Sequence, residues 1–202
     1  MIKPASYTVF LFNQGDFYTM QTIYFTDRLI LKVLDETYAN QVLDYYLRNR
    51  DFLLEWEPKR DEEFYTISHH EENLKNEYEQ INQNKSLRLW IYKIDDPSRT
   101  IGNIDFSNII KGAFLSCYLG YGLDKDEINK GYITEALKKG IDIIFSEYGL
   151  HRIEANIMPR NLRSLKVVSN LGFNYEGIST SYLKINGKWE DHIHMVLLNE
   201  NV

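Results

Sequence analysis

The residues from Leu119 to Glu135 carry the first recognisable chemistry. Gly120 and Gly122 alternate in an apolar stretch, and Lys130 and Gly131 follow directly before an amphipathic run. A strand entering a helix through such a turn leaves backbone N–H groups unpaired at the positive end of the helix dipole. Together they make an anion site that takes a diphosphate without metal. The same glycine would also serve a tight strand-to-helix connection and nothing more. The spacing is neither G-x-x-x-x-G-K-[S/T] nor G-x-G-x-x-G, so a Walker phosphate loop and a dinucleotide turn are both excluded.

Other reactive types are scattered. His192 and His194 share one face of a predicted strand, but no third ligand stands beside them, and no metal is expected. Cys117 alternates with Leu115 and Leu119, which predicts a buried thiol. As the sole cysteine it forms no intrachain disulfide. Asn161 begins a short helix that carries Ser164.

The elements around these residues follow from periodicity. Strands are predicted over 28–33, 87–94, 100–109, 114–123 and 151–158. Asp35 is set to cap a helix running to about residue 48. Residues 49–60 read as a loop around Trp56-Glu57-Pro58, and Ser68-His-His-Glu71 as a capping box opening the next helix. The long helix after Gly131 buries Ala136, Leu137, Gly140, Ile141, Ile144 and Phe145. Asn186-Gly187 is the turn of a closing hairpin over 175–198. The order β-α-α-β-β-β-α-β-α-β-β gives one mixed α/β domain over 23–200. Residues 1–22 are predicted to be an extension, with a possible short strand at 8–12.

At 202 residues with a net charge of −6, the chain has one sizeable core and lacks the basic balance of a nucleic-acid binder. No apolar run approaches the ~20 residues that span a membrane, and a cytoplasmic protein is expected. The 15 Tyr, 10 Phe and 3 Trp suffice to fill a core and to line a groove.

Several segments in unbroken order carry a resemblance. Asn129-Lys-Gly-Tyr-Ile-Thr-Glu-Ala136 resembles the coenzyme A loop of GNAT acetyltransferases. His151-Arg-Ile-Glu-Ala155, Pro159-Arg-Asn-Leu-Arg-Ser164, Leu171-Gly-Phe173, Glu176-Gly177 and Tyr182 to His192 are similar to the blocks that follow in the RimJ/RimL branch. Asn49 to Arg60 and Cys117-Tyr-Leu-Gly-Tyr121 are particularly similar to RimJ.

The resemblance implies the GNAT fold and direct acetyl transfer from acetyl-coenzyme A to an amine, as co-substrate and without metal. The acceptor it implies is the N-terminal α-amine (Ala or Ser) of a ribosomal protein. A small amine such as a polyamine or antibiotic, and a non-catalytic acyl-coenzyme A-binding or ribosome-assembly protein, are the alternatives. Monomer and homodimer both remain open. Implied cofactor contacts are Leu119, Tyr121 and Leu123 on the splayed strand, then Ile128, Asn129, Lys130, Gly131, Tyr132, Ile133 and Thr134 in the loop, with Asn161 and Ser164. Ile128 and Ile133 depart from the family's Q/R-x-x-G-x-G/A, which keeps its central Gly131. Ser164 is the implied partner of the departing thiolate. Glutamates that some relatives place in the site correspond here to Tyr118 and Leu183. Asp105, Glu57 and Tyr118 are then the candidates for positioning or deprotonating the amine, and Trp56 and Glu57 for binding the acceptor.

Overall fold

The structure, a computed structural model, describes residues 8–10 and 19–202. Thr8–Phe10 (β1) pairs antiparallel with Thr19–Gln21 (β2); residues 1–7 and 11–18 of the predicted extension lie outside the described residues. The main sheet has eight strands in the order β3-β4-β5-β6-β7-β8-β10-β9. These are Ile23–Phe25 (β3), Leu29–Lys32 (β4), Leu87–Lys93 (β5), Thr100–Ile110 (β6), Ser116–Leu123 (β7), Arg152–Ile157 (β8), Asn174–Ile185 (β9) and Lys188–Leu198 (β10). Every neighbouring pair is antiparallel except β7 and β8.

Each face of the sheet is covered differently. Tyr132–Ser146 (α4) lies on one face, with Ala136, Leu137, Ile143 and Ile144 in a cluster that includes Ile104, Phe106, Cys117 and Leu119. Gly140 permits that contact: a Cβ there would stand 2.5 Å from Ile104 Cδ1 and 2.8 Å from Phe106 Cε2. On the other face Ala39–Arg48 (α1) and Ile67–Asn82 (α3) pack Tyr45 and Leu74 onto Trp90 and Tyr92. Leu162–Asn170 (α5) buries Val168 against the first cluster.

The mixed α/β architecture expected from sequence is present, and so is the element order apart from the extra edge strand β3 and local corrections. Residues 49–60 are not all loop: Arg50–Leu54 (α2) is a short helix, because Leu53 buries into the α1–α3 cluster. Thr66, not Ser68, caps α3; its backbone is extended and its hydroxyl accepts from the His69 N–H at 3.3 Å. Asp35 caps a single 3₁₀ turn, Glu36–Tyr38, that precedes α1. The strand predicted from 114 begins at Ser116, since Leu115 sits at φ 42° in the left-handed region. Asn186 and Gly187, at φ 42° and 81°, form the predicted hairpin turn.

Candidate functional site

One break in the sheet creates the site. The parallel pairing of β7 with β8 covers only Ser116↔Arg152, Cys117↔Ile153 and Tyr118↔Glu154. Beyond Tyr118 the two strands part, while β7 stays paired to β6 as far as Gly102↔Leu123. Residues Leu119 to Leu123 therefore present one row of backbone N–H and C=O groups to a cleft instead of to a strand. A Cβ at Gly120 would meet nothing within 4 Å, whereas at Gly122 it would reach 3.0 Å from the Tyr45 hydroxyl.

The cleft, about 420 Å³, brings together most of the residues expected from sequence. Trp56, Glu57, Asp105, Leu119, Tyr121, Leu123, Ile128, Asn129, Ile133, Asn161 and Ser164 all line it. Lys130, Gly131, Tyr132 and Thr134 continue from its loop end around the start of α4. Tyr118, at the last position where β7 is still paired to β8, stands outside the lining and is 40% exposed.

The loop between β7 and α4 is held at both ends. Asp124 is fully buried; Arg48 Nε donates to its carboxylate at 2.7 Å, and the Asp126 N–H does so at 3.1 Å. Burial opposes ionisation, but these donors win and keep the Asp124 carboxyl below its ordinary range. The Lys125 N–H reaches the side-chain oxygen of buried Asn49 at 3.0 Å. At the far end Gly131 adopts φ 82° in the N-cap position of α4, and among the described residues no side chain caps that helix. Its first-turn N–H groups are consequently open to an anion. Lys130 is engaged by Glu127 at 2.9 Å.

Beside the splay, the Asn161 side chain accepts from the Ser164 N–H at 3.1 Å, fixing the first turn of α5. The Tyr121 hydroxyl donates to the Ser164 carbonyl at 3.1 Å, and burial pushes that phenol up to about 12. Both contacts hold the Ser164 backbone and leave its hydroxyl at the cleft wall. These features fit coenzyme A: an open helix N-terminus for a diphosphate, a bare strand edge for an extended amide chain, and a hydroxyl beyond its end.

The opposite wall is polar. Burial pushes the Glu57 carboxyl above its ordinary value, against the opposing pull of Arg60 at 3.5 Å. Asp105 accepts from Arg88 at 2.9 Å, and Arg88 also contacts Glu77. Arg160 donates to the Glu55 side chain at 3.1 Å and to its carbonyl at 3.3 Å, and lies 5.1 Å from the centre of the Trp56 ring. The Asn186 N–H meets the Glu57 carbonyl at 3.2 Å. The 55–57 segment is thus pinned to the β9–β10 hairpin and roofs the cleft.

Sequence reading missed Tyr46, Arg88, Asn156 and Arg163 in this lining, and placed His192 only in a rejected metal pair. Strand alternation was the available signal for Asn156 and His192, but it does not tell which face meets the cleft. His192 lines it, whereas His194 is bonded to Glu154 at 2.8 Å and to Ser179 at 2.7 Å. Among the described residues no group of three or more His, Cys, Asp or Glu is arranged to hold a metal. Cys117 is buried, and burial pushes its thiol up to about 12.

The model of the acetyltransferase (GNAT) domain matches residues 28–174. The chain belongs to the GNAT acetyltransferase family. It is 38% identical over 168 residues to the [ribosomal protein uS5]-alanine N-acetyltransferase of Escherichia coli (strain K12), covering 83% of this chain and 86% of that one. The solved ribosomal-protein-S5-alanine acetyltransferase of Vibrio fischeri superposes with a TM-score of 0.85 at 33% identity, over 89% of this chain and 98% of that one. Mycobacterium smegmatis RimJ in complex with CoA-disulfide superposes at 0.80 with 26% identity, over 86% and 83%. This GNAT chain is an acetyl-coenzyme A-dependent N-acetyltransferase. Its co-substrate supplies the acetyl group as a thioester. No described helix is long and apolar enough to cross a membrane.

Proposed function

We propose that this acetyltransferase modifies the N-terminal α-amine of a ribosomal protein beginning with Ala or Ser, with both substrates bound together. The observation that carries the reading is the half-buried Glu57 carboxyl beside Trp56, in the same cleft that the free edge of β7 lines. A carboxylate there matches a terminal ammonium, and Trp56 supplies an apolar wall for a small first side chain. The kinship with uS5-alanine acetyltransferases over most of both chains supports the same acceptor class.

In this proposal backbone groups of Leu119, Tyr121 and Leu123 hold the pantetheine arm and polarise the thioester carbonyl. The turn 128–134 takes the diphosphate through backbone N–H groups. Asn161 orients the first turn of α5, and the Ser164 hydroxyl hydrogen-bonds the leaving sulfur. Asp105, neutralised by Arg88, orders the acceptor wall and is not the base. Tyr118 does not line the cleft and is given no role in this proposal. The catalytic unit is 23–200.

Intact-mass measurement of small-subunit ribosomal proteins after incubation with the enzyme and acetyl-coenzyme A tests this, with polyamines assayed in parallel. A gain of one acetyl group at a ribosomal N-terminus is expected. Acetylation of polyamines alone would replace the proposal with a small-amine acceptor.

A further inference from the structure

The acceptor wall holds two acceptor atoms with no partner among the described residues. The side-chain oxygen of Asn156 on β8 is buried and makes no hydrogen bond. His192 on β10 is 3% exposed and lines the cleft; its Nδ1 lies 3.0 Å from the Glu190 carbonyl. A carbonyl only accepts, so Nδ1 carries the proton and Nε2 a lone pair. Among the described residues nothing bonds Nε2. Asn156 is paired across the strands with His194, two residues along from His192, and both side chains reach the same cleft. Acceptors left without a protein partner in a cleft are what an ammonium needs, because it brings three donors.

We propose that His192 Nε2 is the base that takes the proton from the acceptor ammonium, with the Asn156 oxygen holding that ammonium beside it. This rests on the α-amine reading above and supplies its base. The ammonium gives one proton to Nε2, from which it passes to solvent. The freed nitrogen lone pair forms the N–C bond at the thioester carbonyl carbon. The C–S bond breaks with its electron pair on sulfur, and the amine's second proton goes to that sulfur by way of the Ser164 hydroxyl.

The backbone aims the imidazole. The register of β10 with β9 shifts between Glu190↔Leu183 and His192↔Ser179, so β9 carries two extra residues there. Ser181, at φ 49°, lies in that bulge, and its N–H donates to the Asp191 carboxylate at 2.8 Å. Charged and titratable neighbours are Glu190 and Asp191 on β10 itself, His194, and Tyr182 on β9 with its ring centre 5.6 Å away. Arg160 pairs with Glu190, and Glu57, Arg60, Arg88 and Asp105 complete the lining. Burial lowers the His192 pKa below its ordinary 6.5, so the ring is neutral at pH 7. A neutral imidazole can accept a proton from a terminal ammonium near ~8, which a lysine ammonium near ~10.4 gives up less readily.

The test pairs kinetics with a measurement that needs no turnover. In nitrogen-detected NMR of the histidines in wild-type protein, His192 should show a protonated Nδ1, a bare Nε2 and a midpoint below 6.5. A protonated Nε2 overturns the proposal whatever the true acceptor is. On an Ala-initiated peptide that the wild type acetylates, His192→Gln should lower kcat about 100-fold or more and remove the acidic limb of its pH profile. Coenzyme A affinity should stay unchanged, which also reports folding. Retention of that limb, or a kcat within about threefold of wild type, sinks the base role. Asn156→Leu should raise KM for the peptide and leave the His192 midpoint in place; an unchanged KM removes Asn156. Failure of the wild type on every terminal amine would strike the acceptor reading, while the tautomer still judges His192.

Discussion

Arg28, in the turn between β3 and β4, grips Glu135 in the first turn of α4: its Nε donates to the carboxylate at 2.7 Å, and its Nη1 donates to the Lys130 carbonyl at 3.0 Å. The Thr26 hydroxyl and the Arg28 N–H reach the same carboxylate at 2.6 and 2.9 Å. A negative side chain at a helix start would compete with a diphosphate. Here it is consumed, and the clamp fixes the loop. Arg28→Ala should weaken coenzyme A binding about tenfold, ~1.4 kcal/mol, by calorimetry. Equal affinity would show that the loop holds its shape without the clamp.

Gly131 lies under that clamp. Its φ of 82° costs an L-residue about 1 kcal/mol or more, and a Cβ would stand 3.3 Å from Arg28 Nη2. Gly131→Glu adds strain, bulk and negative charge together. Coenzyme A affinity should drop at least about tenfold, and undiminished binding would move the diphosphate elsewhere.

Ser164 is held through its backbone by Asn161 and Tyr121, so removing its hydroxyl leaves the helix start in place. Ser164→Ala should lower kcat about 10- to 100-fold with little change in acetyl-coenzyme A affinity. A kcat equal to that of the wild type takes Ser164 out of the reaction.

Asp124→Asn should destabilise the fold by about 2–4 kcal/mol, because Arg48 then loses its buried counter-charge. Chemical denaturation measures this directly. A change under about 0.5 kcal/mol would mean that solvent replaces the pair.

His70 is buried against Tyr46 and Phe64. Burial, reinforced by His69, lowers its pKa from 6.5 to about 4. The unfolded chain therefore binds the proton more tightly. The stability this group contributes is complete above pH 6.5 and is lost as pH falls toward 4, up to about 3 kcal/mol. Replacing it as His70→Phe should flatten that part of the stability profile; an identical slope in both proteins would assign the loss to other groups.

Local chemistry alone determined much of this protein. The alternation from Cys117 to Leu123, the amphipathic run after Gly131, the Asn161 cap and the Asn186-Gly187 turn depend on neighbours within a few residues, and all reappear in the structure. The turn proposed to hold the diphosphate was legible for the same reason, since one contiguous segment builds it. The α2 helix was hidden because its stability comes from Leu53 in a distant cluster, and the start of α3 because two plausible caps stand two residues apart. Only the tertiary structure decided where β7 leaves β8, that the 55–57 segment roofs the opening, and that Asn156 and His192 rather than Tyr118 face it. Those outcomes depend on contacts between residues some thirty to well over a hundred positions apart in the chain. Alternation assigns a side chain to a face but carries no information about what that face meets.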